Sequence, residues 1–337
     1  MFRRLTALWI LCVILSGCRN QTPTEKFSAQ IFAMDTVMDL MIYSEDDRAL
    51  QEGAELVQKL EKAFSTTDDS SEIYALNHTG SCELSTYTAE LFGRGLEVCR
   101  LTEGALDLSV YPIVRAWGFT EDAYRIPSDQ VLQELLTHVD YRKIHLDGDE
   151  VSIPEGMEVD LGSIAKGYTG DQLVKLFKSH GIASALLNLG GNVQALGAKP
   201  DGTNWKVGIQ NPLGEGYLGV LSIQDQAVIT SGGYERFFEG SDGQIYWHIM
   251  DPKTGYPAQN GVISATAIGK EGTYCDALST SLFIMGLEKA QDFWREQGDF
   301  QMILVTDQNE VWITPGLIDA FSLTEDTIYQ LKVIADD

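Results

Sequence analysis

The chain has 337 residues, of which 44% are hydrophobic, 9% aromatic and 22% charged, the balance of a globular protein rather than a disordered one. Acidic residues outnumber basic ones 49 to 24, which gives a formal net charge of −25. This charge disfavours nonspecific nucleic-acid binding, which needs lysine and arginine to displace counterions. A polyanionic ligand would need a local device such as a metal ion, a helix N-terminus or a few placed lysines.

The N-terminal residues are predicted to export and anchor the chain. Two arginines precede an apolar run over residues 5–15, and two small residues stand before Cys18, which is the pattern of a cleaved secretory signal over residues 1–17. The end of this signal resembles the lipobox of bacterial lipoproteins, in which Cys18 becomes the acylated N-terminus; a plain signal with an unrelated cysteine is the alternative. Residues 18–29 are then lipid anchor and polar tether, so we expect a membrane-anchored lipoprotein outside the cytoplasm.

The first part of the mature chain predicts two strands and two helices. Residues 31–43 are rich in strand formers interrupted at Met34-Asp35-Thr36, which indicates a strand, a kink and a second strand. Apolar residues on one face predict an amphipathic helix over residues 46–64. A serine or threonine cap predicts another helix over residues 86–102.

Short strands dominate the middle of the chain, and helices return near its end. The strands are predicted over residues 143–146, 151–153, 184–190, 205–210, 219–224 and 227–230, with a break at Gly190-Gly191 and a helix that begins near Leu161. Two helices over residues 276–285 and 287–297 precede a hairpin of residues 300–305 with 310–313. Since strict βαβ alternation is lacking, the predicted fold class is α+β, a single domain over residues 30–337 with a mixed, largely antiparallel sheet packed with helices.

Three cysteines follow Cys18, namely Cys82, Cys99 and Cys275. An odd number argues against a full disulfide framework. A Cys82–Cys99 disulfide and buried free thiols remain the two options, and no cysteine has metal-ligand spacing.

The segment DLGSIAKGYTGDQLVK, residues 160–175, invites comparison with phosphate-binding loops. A Walker loop has Gly-Lys-Ser/Thr, whereas here Lys166 precedes a glycine and Tyr168 stands where the hydroxyl residue should be. Asp160 is at a capping position, and the N–H groups near Ser163 are at the positive end of the predicted helix, where an anion binds well. A capped surface helix with a solvated lysine is the alternative.

The segment WHIMDPKTGYP, residues 247–257, places a histidine near a carboxylate in a rigid turn. His248 and Asp251 are therefore a candidate acid/base pair. The alternative is that Asp251 merely begins an Asx turn. No two histidines have the spacing of a zinc site, which argues against zinc hydrolysis.

Asp276 and Thr280 lie four residues apart in a predicted helix, so they share a face. A carboxylate and a hydroxyl at this spacing suit a hard cation such as Mg²⁺; an N-cap aspartate with a packed threonine is the alternative. Ser231 and Tyr234 follow a strand, but no activating base stands at a known spacing, which argues against a serine hydrolase.

Taken in order, these segments resemble the motif series of the ApbE family, whose members are FAD:protein FMN transferases and usually exported lipoproteins. The matching motifs are Met34-Asp35-Thr36, Asp107-Leu-Ser-Val, Trp117-Gly118-Phe119, Asp160-Leu-Gly-Ser-Ile-Ala-Lys-Gly, Asn188-Leu-Gly-Gly-Asn, Ser231-Gly-Gly-Tyr-Glu-Arg, His248-Ile-Met-Asp-Pro-Lys-Thr-Gly-Tyr-Pro and Asp276-Ala-Leu-Ser-Thr. The resemblance covers the chain from about Gln30 to the C-terminus.

The resemblance implies a reaction, its cofactors and its partners. FAD is the substrate, and its pyrophosphate is split with the help of Mg²⁺. The FMN moiety moves to a threonine or serine hydroxyl of an exported acceptor protein, and AMP leaves. Family acceptors carry the motif Asp-x-x-Ser/Thr-Gly-Ala-Ser/Thr and include subunits of Rnf- and Nqr-type electron-transfer complexes.

The resemblance also implies roles for individual residues. The metal would bind Asp276, Thr280 and the main-chain oxygen of Ser163, and Lys166 would add a positive contact to the pyrophosphate. His248 is the candidate general base, oriented by Asp251. The residues implied to contact FAD are Met34, Thr67, Trp117, Gly118, Phe119, Asp160, Lys166 and Met250.

Two positions depart from the family pattern. Thr67 stands where members commonly have a tyrosine that stacks on the flavin, and members without this aromatic residue resemble enzymes that hydrolyse FAD to FMN and AMP. Gly233 replaces a common acidic or asparagine residue. An FAD pyrophosphatase and a non-catalytic FAD-binding lipoprotein are therefore the alternatives to a transferase.

Overall fold

The computed structural model describes residues 25–121, 123–325 and 327–335. Its helices are α1 Arg48–Phe64, α2 Glu72–Thr79, α3 Thr86–Leu101, α4 Tyr111–Ala116, α5 Asp129–Leu136, α6 Gly162–Ser179 and α7 Gly272–Gln297, with short 3₁₀ turns at Tyr141–Lys143 and Pro315–Leu317. None of the helices in this part of the chain is long and apolar enough to cross a membrane. The predicted signal and Cys18 lie outside the described residues.

The strands, in chain order, are β1 Glu25–Ala33, β2 Thr36–Ser44, β3 Ser81–Glu83, β4 His145–Asp147, β5 Glu150–Ser152, β6 Ala185–Leu189, β7 Val193–Leu196, β8 Trp205–Gln210, β9 Tyr217–Ile223, β10 Ala227–Gly232, β11 Phe237–Glu239, β12 Ile245–Trp247, β13 Val262–Gly269, β14 Gln301–Thr306, β15 Glu310–Ile313, β16 Phe321–Leu323 and β17 Gln330–Val333. Nine of them form the main sheet in the order β1-β2-β6-β7-β10-β13-β14-β15-β17. Its neighbours pair antiparallel except β15 and β17. The predicted α+β class with a mixed, largely antiparallel sheet is confirmed.

The first two strands form a hairpin around the predicted kink. Met34 and Asp35 have φ angles of 50° and 58°, which few residues other than glycine adopt and which turn the chain sharply. Strand β1 begins at Glu25, inside the segment predicted as tether, because residues 25–29 pair with residues 40–44 of β2. The folded part therefore starts earlier than the tether prediction allowed.

The two faces of the main sheet carry different layers. Alternate residues of β10 and β13, such as Ile229 and Ala265, pack against Leu278 and Leu282 of α7. On the other face, residues such as Val228 pack against the three-stranded sheet β16-β9-β8. Helix α6 lies on the α7 side, packed through its C-terminal half against β2, β6 and α1. It is therefore not the surface helix of the alternative interpretation.

A second helical layer packs on the N-terminal half of α6. Apolar side chains of α1, α2, α3 and β5 enclose Leu161 and Ile164 there. The thiols of Cys82, Cys99 and Cys275 are free, which answers the open disulfide question in favour of free cysteines. Burial raises the pKa of the Cys99 thiol to about 12, so it is not a thiolate at neutral pH.

Helix α7 is broken at Gly286, whose φ of 76° and ψ of 175° are not helical. The side chain of Asn260 donates to the carbonyl oxygens of Phe283 and Ile284, at 2.9 and 3.0 Å, and so pairs groups that the break leaves free. The predicted division of this helix between residues 285 and 287 is confirmed. Its start was predicted too late, since the helix begins at Gly272.

Candidate active site

Asp276 is a buried carboxylate in the second turn of α7. Its Oδ2 accepts a hydrogen bond of 2.8 Å from the backbone N–H of Gly167 in α6, so it is not the N-cap of the alternative interpretation. Burial raises its pKa to about 7, although the charge of Lys166 and the Gly167 N–H oppose the shift. A buried carboxylate with a pKa this high is partly protonated at neutral pH, and a bound cation readily takes the place of the proton.

Ser163 lies in the first turn of α6, four residues before Gly167. Regular helix geometry directs the Gly167 N–H at the Ser163 carbonyl oxygen, and a carbonyl oxygen has a second lone pair for another partner. Asp276 and Thr280 lie one turn apart on α7. A carboxylate, a hydroxyl and a main-chain oxygen are donors of the kind that a hard cation such as Mg²⁺ takes. No cluster of three or more His, Cys, Asp or Glu side chains that could hold a metal occurs in the described ranges.

Helices α6 and α7 contact each other through backbone atoms at two glycines, Gly167 and Gly272. A Cβ on Gly167 would lie 2.2 Å from the carbonyl oxygen of Gly272, so only glycine permits this approach. Asp171 of α6 accepts from the N–H groups of Gly272 and Thr273, at 2.7 and 2.8 Å, and thereby caps α7. Gln194 of β7 donates to the Gly167 carbonyl at 2.9 Å. These contacts hold Asp276 against the first turns of α6.

Lys166 lies among the ionisable groups of the site. It makes no hydrogen bond or ion pair with the residues that the structure describes, yet its charge lowers the pKa of Asp276, Glu235 and His248. In each case burial is the largest influence, and it raises the pKa of Asp276 and Glu235 but lowers that of His248. A half-buried, unpaired ammonium beside these groups is available to a phosphate.

His248 is oriented by a backbone carbonyl rather than by a carboxylate. Its Nδ1 lies 3.3 Å from the carbonyl oxygen of Arg236, which can only accept, so Nδ1 carries the proton and Nε2 is free to accept one. Burial, with the charges of Arg236 and Lys166, lowers the pKa of His248 to about 4, and the ring is neutral at pH 7.

The predicted pairing of His248 with Asp251 is not seen. Asp251 Oδ1 accepts a hydrogen bond of 2.8 Å from the N–H of Lys253, as in an Asx turn. No hydrogen bond or ion pair joins it to His248 in the described chain. The alternative interpretation of Asp251 as a turn residue is therefore the one that the geometry favours.

The residues expected around FAD divide into two groups. Met34 is half-buried with its Sδ 3.9 Å from Thr169 Oγ1 of α6, and the ring of Phe119 lies 6.4 Å from that of His248. Asp160 accepts a hydrogen bond of 2.9 Å from the Gly162 N–H, next to the start of α6. Met34 and Asp160 thus lie beside α6, whereas Phe119, next to His248, is only 3% exposed.

Trp117 and Met250 do not offer side-chain surface to a ligand. Trp117 is fully buried and donates from its indole nitrogen to the carbonyl oxygen of Gly255 at 2.8 Å, while Met250 is 3% exposed and pairs with Pro257. Both support the turn that follows His248. Gly118 permits a φ of 83°, and a Cβ there would lie 2.1 Å from the Ala123 carbonyl oxygen.

Thr67 is exposed and lies after α1. Its hydroxyl is 3.3 Å from that of Ser65. The neighbouring Thr66 contacts the hydroxyl of Tyr111, whose pKa is raised by burial and also by the charge of Asp160. The segment with Thr67 is thus near the Asp160 side of the site.

Several residues of the site escaped prediction from the sequence. Asp171 and Gln194 have no local signature, because their partners lie on other elements. Asn192 follows the two-glycine turn between β6 and β7 and is 2% exposed, and neither amide atom has a partner in the described structure. A buried amide without a partner is unusual enough to suggest a bound water or ligand. The family motif Asn188-Leu-Gly-Gly-Asn ends at this residue, but no role was assigned to it.

Comparisons with known proteins give a consistent result. The sequence model of the ApbE family matches residues 34–304. The chain is 35% identical to the FAD:protein FMN transferase of Treponema pallidum (strain Nichols), covering 92% of each chain. It is 30% identical to the FAD:protein FMN transferase of Klebsiella pneumoniae (strain 342), covering 85% of this chain and 90% of the relative.

Solved structures agree with these sequence relatives. The crystal structure of the ApbE protein of Thermotoga maritima is similar with a TM-score of 0.79 at 29% identity, covering 89% of this chain and 97% of that one. The flavin transferase ApbE from Vibrio cholerae gives a TM-score of 0.77 at 27% identity, covering 90% and 97%.

Proposed function

Because this chain belongs to the ApbE family, we propose that it transfers the FMN moiety of FAD to a threonine or serine hydroxyl of an acceptor protein and releases AMP. The observation that carries the proposal is that Asp276 binds the backbone of α6 beside Lys166, whose charge also acts on His248. A passive binder has no need of a buried carboxylate and a neutral histidine beside an unpaired lysine.

The oxygen donors of the site would hold Mg²⁺, namely Asp276, Thr280 and the main-chain oxygen of Ser163. When bound there, Mg²⁺ would neutralise charge on the pyrophosphate and on departing AMP. Lys166 would bind a phosphate oxygen of the same group. The Gly167 hydrogen bond keeps Asp276 in place for this task.

His248 would act on the acceptor. Its free Nε2 takes the proton of the acceptor hydroxyl, whose oxygen attacks the phosphorus of the FMN half. The bond from that phosphorus to the bridging oxygen breaks, and AMP leaves with the bridging oxygen. Met34 and Asp160 would border the FAD site, and the buried Trp117, Phe119 and Met250, with Gly118, would support it from inside the protein.

An FAD pyrophosphatase is the second candidate, and Thr67 favours it. Where an aromatic residue would stack on the flavin, this chain has an exposed hydroxyl. Weaker hold on the flavin shortens the time available for an acceptor to dock. Water would then take the place of the acceptor hydroxyl, giving free FMN and AMP.

One incubation distinguishes the candidates. The protein is mixed with FAD, Mg²⁺ and an acceptor domain that carries Asp-x-x-Ser/Thr-Gly-Ala-Ser/Thr. Transfer gives a fluorescent acceptor band and AMP in equal amounts; hydrolysis gives AMP and free FMN; intact bound FAD without AMP would contradict both enzymatic proposals.

The location of the protein is proposed from its first 18 residues. Acylated Cys18 would place the enzyme at a membrane surface outside the cytoplasm, beside exported acceptors such as subunits of Rnf- or Nqr-type complexes. Wild type should fractionate with membranes and incorporate labelled fatty acid. Cys18→Ala should lose both, and unchanged labelling would contradict the anchor.

A further inference from the structure

A chain of hydroxyl groups connects β10 with α7 next to the proposed metal ligands. Ser231 Oγ lies 2.8 Å from Ser279 Oγ and 3.2 Å from Thr280 Oγ1. Ser279 Oγ donates a hydrogen bond of 2.9 Å to the backbone carbonyl oxygen of Asp276. The proposed reaction makes no use of Ser231 or Ser279.

The Asp276 carbonyl oxygen, at the end of this chain of hydroxyls, fixes the direction of each hydrogen bond among them. A carbonyl oxygen only accepts, and each hydroxyl has one hydrogen. Ser279 spends its hydrogen on the Asp276 carbonyl, so Ser231 must donate to Ser279. Ser231 then has no hydrogen left for Thr280, and Thr280 must donate to Ser231.

This direction determines where the lone pairs of the Thr280 hydroxyl point. Its hydrogen points at Ser231, so the lone pairs of Oγ1 face away from β10. Ser279 is fully buried, and if its hydrogen turned to Ser231 instead, its 2.9 Å contact with the Asp276 carbonyl oxygen would contain no hydrogen. The half-buried Thr280 hydroxyl is thus held as an acceptor, the state that a cation ligand needs.

We infer that Ser231 and Ser279 are positioning residues, which orient the Thr280 hydroxyl so that its oxygen binds a divalent cation. The inference rests on the proposed function and deepens its metal site. It assigns an effect on cation affinity to Ser279, which lies inside the protein and is not itself a ligand. Without Ser279, the Ser231 hydrogen is free to turn towards Thr280 and reverse that bond.

Ser281 provides a matched control on the same helix. It is as buried as Ser279, and its hydroxyl also donates to a backbone carbonyl, that of Ala277 at 2.7 Å. Among the described residues, no hydrogen bond joins the Ser281 hydroxyl to the chain of hydroxyls. Ser281→Ala therefore reproduces the loss of a buried hydroxyl without changing the orientation of Thr280.

The test is a titration of Mn²⁺ into the full-length protein, with free Mn²⁺ measured by electron paramagnetic resonance in the absence and presence of FAD. Ser231→Ala and Ser279→Ala should each weaken Mn²⁺ binding roughly 10-fold, the low end of the effect of outer partners of metal ligands. Ser281→Ala should leave the affinity unchanged, and Ser231→Thr, which keeps the hydroxyl, should restore it. Unfolding temperatures without metal show how much of any change is structural.

The outcomes distinguish a failure of this inference from a failure of the proposed function on which it rests. If the wild type binds Mn²⁺ and the Ser231 and Ser279 variants bind it equally well, the orienting role is overturned while the metal site stands. If all three alanine variants weaken binding alike, the effect belongs to general packing and the inference is also overturned. Failure of the wild type to bind Mn²⁺, with or without FAD, would overturn the metal-dependent function itself.

Discussion

The direction of one proton decides what His248 can do at neutral pH. The Arg236 carbonyl takes the Nδ1 hydrogen, and burial with two nearby positive charges keeps the ring neutral. Nε2 is therefore ready to accept a proton. Asp251, which the sequence had suggested for the orienting task, instead holds the turn that follows.

His248→Ala should lower the transfer rate roughly 10²–10⁴-fold, because the acceptor hydroxyl loses its general base. FAD binding should persist, as measured by quenching of flavin fluorescence. Asp251→Asn is the control, since an asparagine oxygen can keep the Asx turn, and its rate should stay near that of wild type. An unchanged rate in His248→Ala would rule out the base.

Thr67→Tyr should tighten FAD binding, because a ring at this exposed position can stack on the flavin. Stacking is worth ~1 kcal/mol, which corresponds to a roughly fivefold lower dissociation constant. The ratio of flavinylated acceptor to free FMN should rise in the same variant. Thr67→Val, which has the same size and no ring, should change neither quantity, and a tyrosine variant that behaves like it would remove Thr67 from the flavin site.

Binding of Mg²⁺ should weaken as the pH falls below about 7, the pKa of Asp276. A single proton competes with the cation for this carboxylate, so the apparent affinity should fall roughly tenfold for each pH unit. His248 does not contribute to this slope, since its pKa of about 4 lies below the window. Calorimetric titration on either side of pH 7 measures the effect, and a flat profile would contradict the assignment of Asp276.

The linked effect on stability has the opposite sign to that of an ion-paired aspartate. The pKa of Asp276 is raised from 3.8 to about 7 on folding, so the folded state binds more protons between these values. The metal-free protein should therefore lose stability as the pH rises through this window. Bound Mg²⁺ removes the penalty, because it takes the place of the proton.

At the level of elements, the site depends on how α6 and α7 touch. Their contact at Gly167 and Gly272 brings a carboxylate of one helix to the backbone of the other. Asp171 and Gln194 complete the junction from a neighbouring turn and from the sheet. The proposed metal affinity would in this sense be a property of the helix pair.

Gly167→Ala should separate the two helices, because its Cβ would overlap the Gly272 carbonyl. We expect a loss of ~1–3 kcal/mol in the free energy of unfolding by urea and a higher Mg²⁺ requirement. Gly93→Ala in α3 is the control: the nearest atom to its Cβ would be Leu146 Cδ2 at 3.7 Å, and removing a helical glycine should stabilise by about 0.5–1 kcal/mol. Equal effects of the two substitutions would contradict the role of the junction.

The sequence predicted those elements whose signals are local. The kinked hairpin at Met34 and the division of α7 at residue 286 follow from residues adjacent in the chain, and both are confirmed. The start of α7 was missed because its cap, Asp171, lies a hundred residues away on α6. Trp117 was expected at the ligand surface but is buried, since its partner is the distant Gly255 carbonyl.

The motifs themselves predicted the family, and the comparisons confirm it. Motif order indicates which residues gather in one place, as for Asp276 beside α6. It does not indicate which atoms face one another. Motif order therefore could not show that His248 pairs with the Arg236 carbonyl rather than with Asp251.

At the scale of the whole molecule, the net charge of −25 acts against the folded state through self-repulsion. The charge is spread over the chain, and the ion pairs in the described part are mostly exposed and contribute little. Salt screens such repulsion over a Debye length of about 10 Å at 0.1 M.

The unfolding temperature should therefore rise when sodium chloride is added to a low-salt buffer. Differential scanning fluorimetry at constant pH would measure it, with an uncharged osmolyte at matched osmolality as the control. A constant or falling unfolding temperature would show that the acidic side chains are too far apart to repel one another.

The break at Gly286 separates two halves of α7 that differ in what they carry. The half before the break carries Asp276, Ser279 and Thr280 together with the core residues Leu278 and Leu282, whereas the half after it packs Phe293 and Trp294 into the core and carries none of the proposed ligands. Because Asn260 donates to the Phe283 and Ile284 carbonyl oxygens, these groups have hydrogen-bond partners at the break between the two halves. Substitutions in the second half should therefore change stability alone, whereas substitutions at the proposed ligands of the first half should also change catalysis.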